Sequence, residues 1–420
     1  MLDCVPKMNL KETVINGALV AFHPISGLNA TYLNLTIRAG SWYEEGNSWG
    51  EMHLLEHLLF LGSEKFPTKI LLDDYMEENG IQCNGYTGGA KIEVVMRFPD
   101  TSIDSALILL SQMVYYPLFR QQDILNEKRV LHREYTDKWS KVDVRFSRKI
   151  RQQLFGTDSI YIRDGIGDPK YTDTLSEEQL RATHARFMVP SNMCLGIAGN
   201  VNIAETTEKL KVFFKNGLGV TSELPTAPIH SSERIIKTKE ENLKSTSVVV
   251  TWLTKGIHDY SIRERMILSF GSYLLGGSRR STLHRKVRDE LGLAYNISSN
   301  TALFPTSGWL QVNTSTKPES TDEVVEKITK SVSEFLKQDI DETTLSRAKK
   351  YIKWQRLLQF DSGSSTAGYL SDSLYWDGKL VSSEEFENIV DGITAKDIKD
   401  IFSKIIANEP YISIMEPANR

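Results

Sequence analysis

The chain has 420 residues, of which 40% are hydrophobic and 25% charged, with a formal net charge of −4. This length predicts two or three domains with sizeable cores, and the near balance of charge argues against a nucleic-acid binder. No apolar run approaches the roughly 18 residues of a membrane span, and the N-terminus lacks the pattern of a secretory signal. The three scattered cysteines have no disulfide or metal-site spacing, so we expect a reducing compartment, the cytoplasm.

Strands and helices recur in the same order in the two halves of the chain. In the first half the pattern predicts a strand at 31–40, an apolar helix at 48–62, a helix pair at 104–135 and a strand at 193–199. In the second half the corresponding segments are 247–256, 262–276, 322–354 and 411–415. The repeat predicts an α+β fold with two homologous domains, each an antiparallel-rich sheet with helices packed on one face.

The predicted boundaries follow from the repeat. The N-terminal domain covers 1–215 and the C-terminal domain covers 236–420. Between them, 216–235 is a linker that carries Gly217, Gly219, Pro225 and Pro228 and lacks helical periodicity.

The first apolar helix has recognisable end signals. Ser48 followed by Glu51 has the spacing of a capping box, which predicts Ser48 as the N-cap. Gly62 follows the apolar run and is the predicted C-cap.

The same helix carries the sequence HLLEH at 53–57. Because His53 and His57 are four residues apart, their imidazoles lie on one helix face, as two ligands of one metal ion must. Glu56 lies on the flank of that face, within reach of a catalytic water. Two ordinary histidines of an amphipathic helix are the alternative, but the complete HxxEH pattern is the signature of inverted zincins.

A catalytic zinc site needs a third protein ligand. Glu127 and Glu134 are seven residues apart on a predicted helix at 126–138, so they share a face. One carboxylate can bind the metal while the other orients a ligand. Two glutamates on a helix are by themselves more often a solvated surface.

Taken with the segments RAGSWYEE (38–45) and MEENGIQCNGYT (76–87), these features resemble the pitrilysin/insulinase family of zinc peptidases. The short two-domain members of that family include the mitochondrial processing peptidase. The resemblance implies one Zn²⁺ per chain held by His53, His57 and Glu134, with Glu56 as general base and Glu127 supporting a ligand. Met52 departs from the family pattern, which usually has a small residue there.

The resemblance also implies that an edge strand around Asn84 and Gly85 binds the peptide substrate through main-chain hydrogen bonds. A tight turn formed by the Asn-Gly pair is the alternative.

The second repeat lacks a metal site of its own. At the positions that correspond to His53, His57 and Glu134 it has Ser269, Tyr273 and Ile352, which cannot complete a zinc site. Arg288 and Tyr295 match a family R-x₆-Y motif. The resemblance implies that this pair reaches the active site from the second domain or from a partner and binds the substrate backbone and the oxyanion. A solvated arginine and a half-buried tyrosine are the alternative.

The resemblance as a whole implies a zinc-dependent endopeptidase that hydrolyses peptides or unfolded polypeptides inside an enclosed chamber. The resemblance also implies a homodimer, because this chain carries both the zinc motif and the Arg/Tyr pair, with a paralogous heterodimer as the alternative. We expect neither a nucleic acid nor a membrane as a partner. Two other functions stay open: a non-catalytic assembly subunit on the same fold, and a protease dedicated to maturing one peptide precursor.

Overall fold

A computed structural model describes residues 9–214, 222–224, 233–337 and 339–418. The chain divides into two compact units. Unit 1 comprises Met1–Trp139, Arg163–Pro225 and Arg356–Glu384, and unit 2 comprises Ser140–Ile162, Thr226–Gln355 and Glu385–Arg420.

The elements of the first half are short strands and helices. In chain order they are β1 (Lys11–Ile15), β2 (Ala18–Pro24), β3 (Ala30–Ile37), α1 (Glu51–Leu58), α2 (Lys69–Glu78), β4 (Gln82–Thr87), β5 (Ile92–Pro99), α3 (Ile103–Tyr115), α4 (Gln121–Ser140), α5 (Val142–Phe155), α6 (Pro169–Thr172), α7 (Glu177–Phe187), β6 (Met193–Gly199) and α8 (Ile203–Phe213).

The second half follows a similar order and ends in a strand. Its elements are β7 (Ile235–Glu240), β8 (Thr246–Thr254), α9 (Ile262–Gly276), a π-helical turn (His284–Asp289), β9 (Asn296–Leu303), β10 (Gly308–Thr316), α10 (Thr321–Lys337), α11 (Glu342–Gln359), α12 (Gly363–Asp377), α13 (Ser383–Asp391), α14 (Ala395–Ile406) and β11 (Tyr411–Pro417).

The strands of the two units have matching topologies. Among the described residues, the sheet of unit 1 has the order β1-β2-β6-β3-β5-β4 and that of unit 2 the order β7-β11-β8-β10-β9. Only the pairs β2–β6 and β7–β11 are parallel, and the other described pairs are antiparallel. Without β1 the two orders superimpose strand for strand, so the predicted α+β duplication with antiparallel-rich sheets is confirmed.

The main helices cover one face of each sheet, as their apolar spacing requires. In unit 2, for example, α10 buries Val324, Ile328, Val332 and Phe335, which recur every three or four residues and join the core beneath β8 and β10.

A further helix packs on the opposite face of each sheet, and this helix comes from the other half of the chain. In unit 1, α12 packs on β2, β3 and β6, and β6 is buried along its whole length because both of its faces are covered. The approach is close at Gly196, where a Cβ atom would lie 2.1 Å from the Ala367 carbonyl oxygen. In unit 2, α5 packs on β7 and β11, and Ser413 donates a 2.6 Å hydrogen bond to the Gln153 side chain.

The compact units are therefore discontinuous in sequence, because each includes a helix from the other repeat. The division of the sequence into 1–215, 216–235 and 236–420 describes the repeat and stays a prediction, and most of the linker lies outside the described residues. Within the part of the chain that the structure describes, no helix combines the length and apolar character needed to cross a bilayer.

Candidate active site

The start of α1 is held by a distant carboxylate. The Glu44 side chain accepts hydrogen bonds from the backbone N–H groups of Gly50, at 3.0 Å, and Met52, at 2.9 Å. Glu44 is 4% exposed, and burial raises its pKa to about 8 although the two amide bonds lower it. The carboxylate thus takes the place of a local N-cap side chain at the orphan amides of the first turn.

Both predicted ends of this helix are wrong. Gly50 is the N-cap, and the Ser48 hydroxyl bonds instead to the Glu45 carbonyl oxygen at 2.8 Å. Glu44 binds the Gly50 and Met52 amides, and the Glu51 N–H donates to the Ser48 carbonyl oxygen at 2.9 Å, so none of these amides is left for the Ser48 hydroxyl. The helix ends at Leu58 with Leu59 as the C-cap, and Gly62 lies beyond it in the following turn.

The two histidines of α1 direct their Nε2 atoms at the same point. These atoms are 3.2 Å apart. The Nδ1 atom of His57 lies 2.8 Å from Glu127 Oε2, and that of His53 lies 3.4 Å from the Ile166 carbonyl oxygen. Because carboxylates and carbonyls only accept hydrogen bonds, each imidazole in its neutral form carries its proton on Nδ1 and presents a lone pair at Nε2.

Burial lowers the pKa of both imidazoles, but their net pKa shifts have opposite directions. Burial and the nearby charge of His57 lower the pKa of His53 to about 4, so His53 is neutral at physiological pH. Burial also lowers the pKa of His57, but the bond to Glu127 and the neighbouring carboxylates outweigh it, and the net pKa is raised.

Helix α4 places its two predicted glutamates beside this pair. Glu134 Oε2 lies 3.6 Å from His53 Nε2 and 3.9 Å from His57 Nε2, while Glu127 bonds the far side of the His57 ring. The two carboxylates therefore share the helix face that the seven-residue spacing predicts.

These three atoms fit the ligand set of a zinc ion. Two imidazole lone pairs and a carboxylate oxygen converge with no hydrogen-bond donor between them, an arrangement that repels itself unless a cation lies among them. Ligands at the usual 2.0–2.1 Å from a tetrahedral zinc ion are about 3.3 Å apart, close to the separation of the two Nε2 atoms.

Glu56 offers a second carboxylate near the same point. His53, Glu56 and His57 each have a ligand atom within 4.8 Å of the others. Glu56 is 7% exposed, and Thr87 Oγ1 donates to its Oε2 at 3.3 Å. Burial raises the pKa of Glu56, and the neighbouring His57 opposes the rise. A buried carboxylate with a raised pKa is suited to accepting a proton.

The strand that carries Asn84 and Gly85 lies at the edge of the sheet of unit 1. Within the described residues, β4 pairs only with β5, and Asn84 and Gly85 lie inside the strand, so the alternative of a turn is wrong. Gly85 faces α1, where a Cβ atom would lie 2.1 Å from Glu56 Oε1. Asn84 is exposed on the opposite face of the strand.

The corresponding helices of unit 2 hold no such set of metal-ligating side chains. Tyr273 stacks on Tyr351 of α11 with ring centroids 4.4 Å apart, Ile352 packs against the apolar core, and Ser269 is exposed. In the described ranges, the metal-ligand cluster on α1 is the only one with three such side chains.

The structure describes the predicted Arg/Tyr pair within unit 2. Arg288 is exposed in the π-helical turn, and Gly292, three residues beyond the end of that turn, has a φ of +62°. Tyr295 is 60% exposed directly before the edge strand β9, and its N–H bonds the Ser315 carbonyl oxygen at 3.0 Å. The other predicted site residues belong to unit 1, so the role of this pair stays a prediction.

Sequence reasoning missed three groups of this site. Glu44 lies in the quoted RAGSWYEE segment but has no spacing that marks it as a cap. Thr87 ends the CNGYT run, and its distance from Glu56 in sequence gives no signal. Ile166 contributes a backbone carbonyl, which a side-chain motif cannot reveal.

Comparison with known proteins adds independent information. The family model described as insulinase (peptidase family M16) matches residues 25–159, and the one described as peptidase M16 inactive domain matches 174–352. An uncharacterized zinc protease of Rickettsia felis is 23% identical over 405 residues, covering 96% of both chains. A probable mitochondrial-processing peptidase subunit beta of Arabidopsis thaliana is 23% identical, covering 94% of this chain and 75% of that protein. The crystal structure of a peptidase M16 inactive domain from Pseudomonas fluorescens has a TM-score of 0.85 at 19% identity, covering 98% of this chain and 99% of that one.

Proposed function

Because the chain belongs to the insulinase family, peptidase family M16, we propose that it is a zinc-dependent endopeptidase that hydrolyses peptides or unfolded polypeptides. The observation that carries the proposal is the convergence of His53 Nε2, His57 Nε2 and Glu134 Oε2, three acceptor atoms without a donor among them. Relatives named as zinc proteases support the same metal.

His53, His57 and Glu134 are the proposed ligands of one Zn²⁺ per chain. Glu134 is preferred to Glu56 as the third ligand because it comes from a second helix and faces both Nε2 atoms, whereas Glu56 is held by Thr87. When bound, zinc polarises the scissile carbonyl and lowers the pKa of water.

The protein residues then move the proton. Glu56 accepts a proton from the attacking water and afterwards delivers it to the leaving amine, so that one carboxylate serves first as base and then as acid. Its buried surroundings, which raise its pKa, support this role. Glu127 fixes the His57 ring and its tautomer through the 2.8 Å bond to Nδ1.

The substrate is proposed to add a strand at the free edge of β4. Main-chain groups of Asn84 and Gly85 are the proposed partners, and the scissile bond then lies next to Glu56, because Gly85 contacts that side chain. Arg288 and Tyr295 are proposed to bind the substrate backbone and the developing oxyanion. They come from the second domain of the same chain or of a partner.

The proposal includes an enclosed chamber formed by a homodimer, or by a heterodimer with a paralogue, in the cytoplasm. The zinc motif and the Arg/Tyr pair within one chain support the homodimer, and three scattered cysteines support a reducing compartment. A native mass of twice the chain mass would support the homodimer, and a monomer would contradict it.

The decisive experiment compares Glu56→Gln with the wild type. The expected result is zinc content equal to that of the wild type with cleavage of a mixed peptide library lost, because the proton acceptor is gone and the ligands remain. Glu77→Gln, an exposed carboxylate of α2, is the matched control and should cleave normally. Cleavage by the wild type should stop with a chelator and return with zinc.

Two outcomes would contradict the proposal. Cleavage by Glu56→Gln at the wild-type rate would make the role of Glu56 wrong. Purified wild type without zinc and without peptidase activity would favour the assembly subunit, and cleavage of a single precursor alone would favour the maturation protease.

A further inference from the structure

Unit 2 contains a cavity that the proposed peptidase reaction does not use. Its volume is about 460 Å³, within the range of small-molecule sites. The walls come from the end of α9 and the turn after it, the π-helical turn, the end of α10 and the start of α11. The turn is the GGSRR segment at 276–280, which has no phosphate-binding motif in its sequence.

Four arginines line this cavity: Arg279, Arg280, Arg285 and Arg347. With two lining aspartates, the walls keep an excess of two positive charges. Across the described part of the chain, no carboxylate oxygen lies within the 4.0 Å ion-pair distance of any of these four guanidinium groups. Four cations without ion-pair partners around one concavity create a field that attracts an anion.

The two aspartates are already engaged by other groups. Asp341 accepts hydrogen bonds from the N–H of Thr344 at 2.8 Å and from its hydroxyl at 2.9 Å. Asp339 forms an ion pair with Lys399 at 3.3 Å. Both aspartates keep their negative charge, so they offset two of the four arginine charges and leave the excess of two.

The shape and lining favour a compact ligand over an extended peptide. No described strand contributes to the walls, so a peptide would find no main-chain partner there. Buried Ser281 and Thr282 and apolar Leu274 and Phe335 also line the cavity. Guanidinium groups match the oxygens of phosphate with paired hydrogen bonds. We propose that this cavity binds a small phosphate-bearing anion.

The place of the cavity in the repeat gives the proposal a physical context. Tyr273 and Arg347 belong to α9 and α11, the counterparts of the helices that carry His57 and Glu134. In unit 1 that helix pair directs lone pairs of its histidines and glutamate at one point, which favours binding of a cation. In unit 2 the corresponding helix pair borders a set of guanidinium hydrogen-bond donors, which favours binding of an anion.

The test is calorimetric titration of the full-length protein with tripolyphosphate. The wild type should bind, and Arg285→Gln/Arg347→Gln should bind about a hundredfold or more weakly, since each lost charge-assisted contact contributes about tenfold. Lys330→Gln, an exposed charge on α10 outside the cavity, is the control and should bind like the wild type. A nucleoside triphosphate in a second arm shows whether an organic ring adds affinity over phosphate alone.

Three results would overturn the proposal. The first is absence of tripolyphosphate binding to the wild type. The second is equal heat with the wild type and the double variant, which would indicate metal chelation or diffuse charge attraction. The third is binding of a hexaglutamate peptide, but not of tripolyphosphate, that depends on Arg285 and Arg347, which would assign the cavity to acidic peptides. Circular dichroism of the variants checks that they fold.

Discussion

The helix pair α1/α4 of unit 1 and its counterpart α9/α11 of unit 2 have the same place in the fold but different side chains at their contact. In unit 1 the helices meet through the imidazoles of His53 and His57 and the carboxylates of Glu127 and Glu134. In unit 2 they meet through the Tyr273–Tyr351 stack. A shared topology therefore does not preserve the chemistry, because a few side chains at the contact decide whether it holds an ion.

The interactions that hold the starts of α1 and α9 also differ. Helix α9 has a local capping box, in which Ser261 and Glu264 bond each other's backbone N–H groups. Helix α1 depends on Glu44, six residues before its N-cap, and on the Ile166 carbonyl, more than a hundred residues away. The helix that carries the candidate site is thus positioned by tertiary contacts, whereas its counterpart is capped by its own sequence.

The largest expected effect comes from removing a ligand from the α1/α4 contact. His57→Ala should reduce bound zinc to background and abolish peptide cleavage, because two ligands cannot retain a structured catalytic site. Metal analysis and a peptide assay measure both. His132→Ala is the control: it removes an exposed histidine of α4 that bonds Asp173, and it should leave zinc and activity intact. Full zinc content in His57→Ala would show that His57 is not a metal ligand, and the proposed difference between the two helix contacts would be wrong.

A smaller but specific effect is expected from filling the space beside Glu56. Gly85→Ala introduces a Cβ atom that collides with Glu56 Oε1, so the carboxylate must move. We expect kcat to fall about a hundredfold with zinc retained, since small displacements of catalytic groups are costly. In the control Gly88→Ala the new Cβ atom meets only Lys91 O at 3.6 Å, and turnover should be normal. Equal turnover in both variants would mean that Glu56 does not need its present position.

Loss of the carboxylate behind His57 should weaken metal binding without abolishing it. Glu127→Ala removes the 2.8 Å bond that orients the ring, and the affinity for zinc should fall about 10–100-fold. Competition with a chelating dye measures this affinity. Asn126→Ala changes the adjacent exposed residue of α4 and should not alter it. An unchanged affinity in Glu127→Ala would show that the His57 ring is held by its packing alone.

The smallest effect is expected in unit 2. Tyr273→Leu removes the stack on Tyr351 and should lower the free energy of unfolding by about 0.5–1.5 kcal/mol, with zinc content and cleavage unchanged. Urea unfolding of Tyr273→Leu, Tyr351→Leu and the double variant isolates the pair energy. A loss of zinc in Tyr273→Leu would mean that the two helix pairs are not independent.

Much of the fold was predictable because it depends on local patterns. The helix at 262–276 and the strand at 193–199 match the structure, since apolar periodicity and terminal glycines are properties of adjacent residues. The exchange of α5 and α12 between the repeats was not predictable. Covering the second face of a sheet depends on shape at long range, as at Gly196 and Ala367, and not on periodicity.

By itself, the sequence determined the chemistry of the candidate site. The spacing of His53 and His57 puts two imidazoles on one helix face, and the spacing of Glu127 and Glu134 does the same for two carboxylates, because both follow from helix geometry alone. Only the tertiary structure decided that α4 approaches α1, that Glu127 bonds the His57 ring, and that Glu44 replaces Ser48 at the helix start. The first two contacts join residues distant in the chain, whereas Glu44 lies only six residues from Gly50, and the energies of all three depend on burial and on competing partners that no local pattern contains.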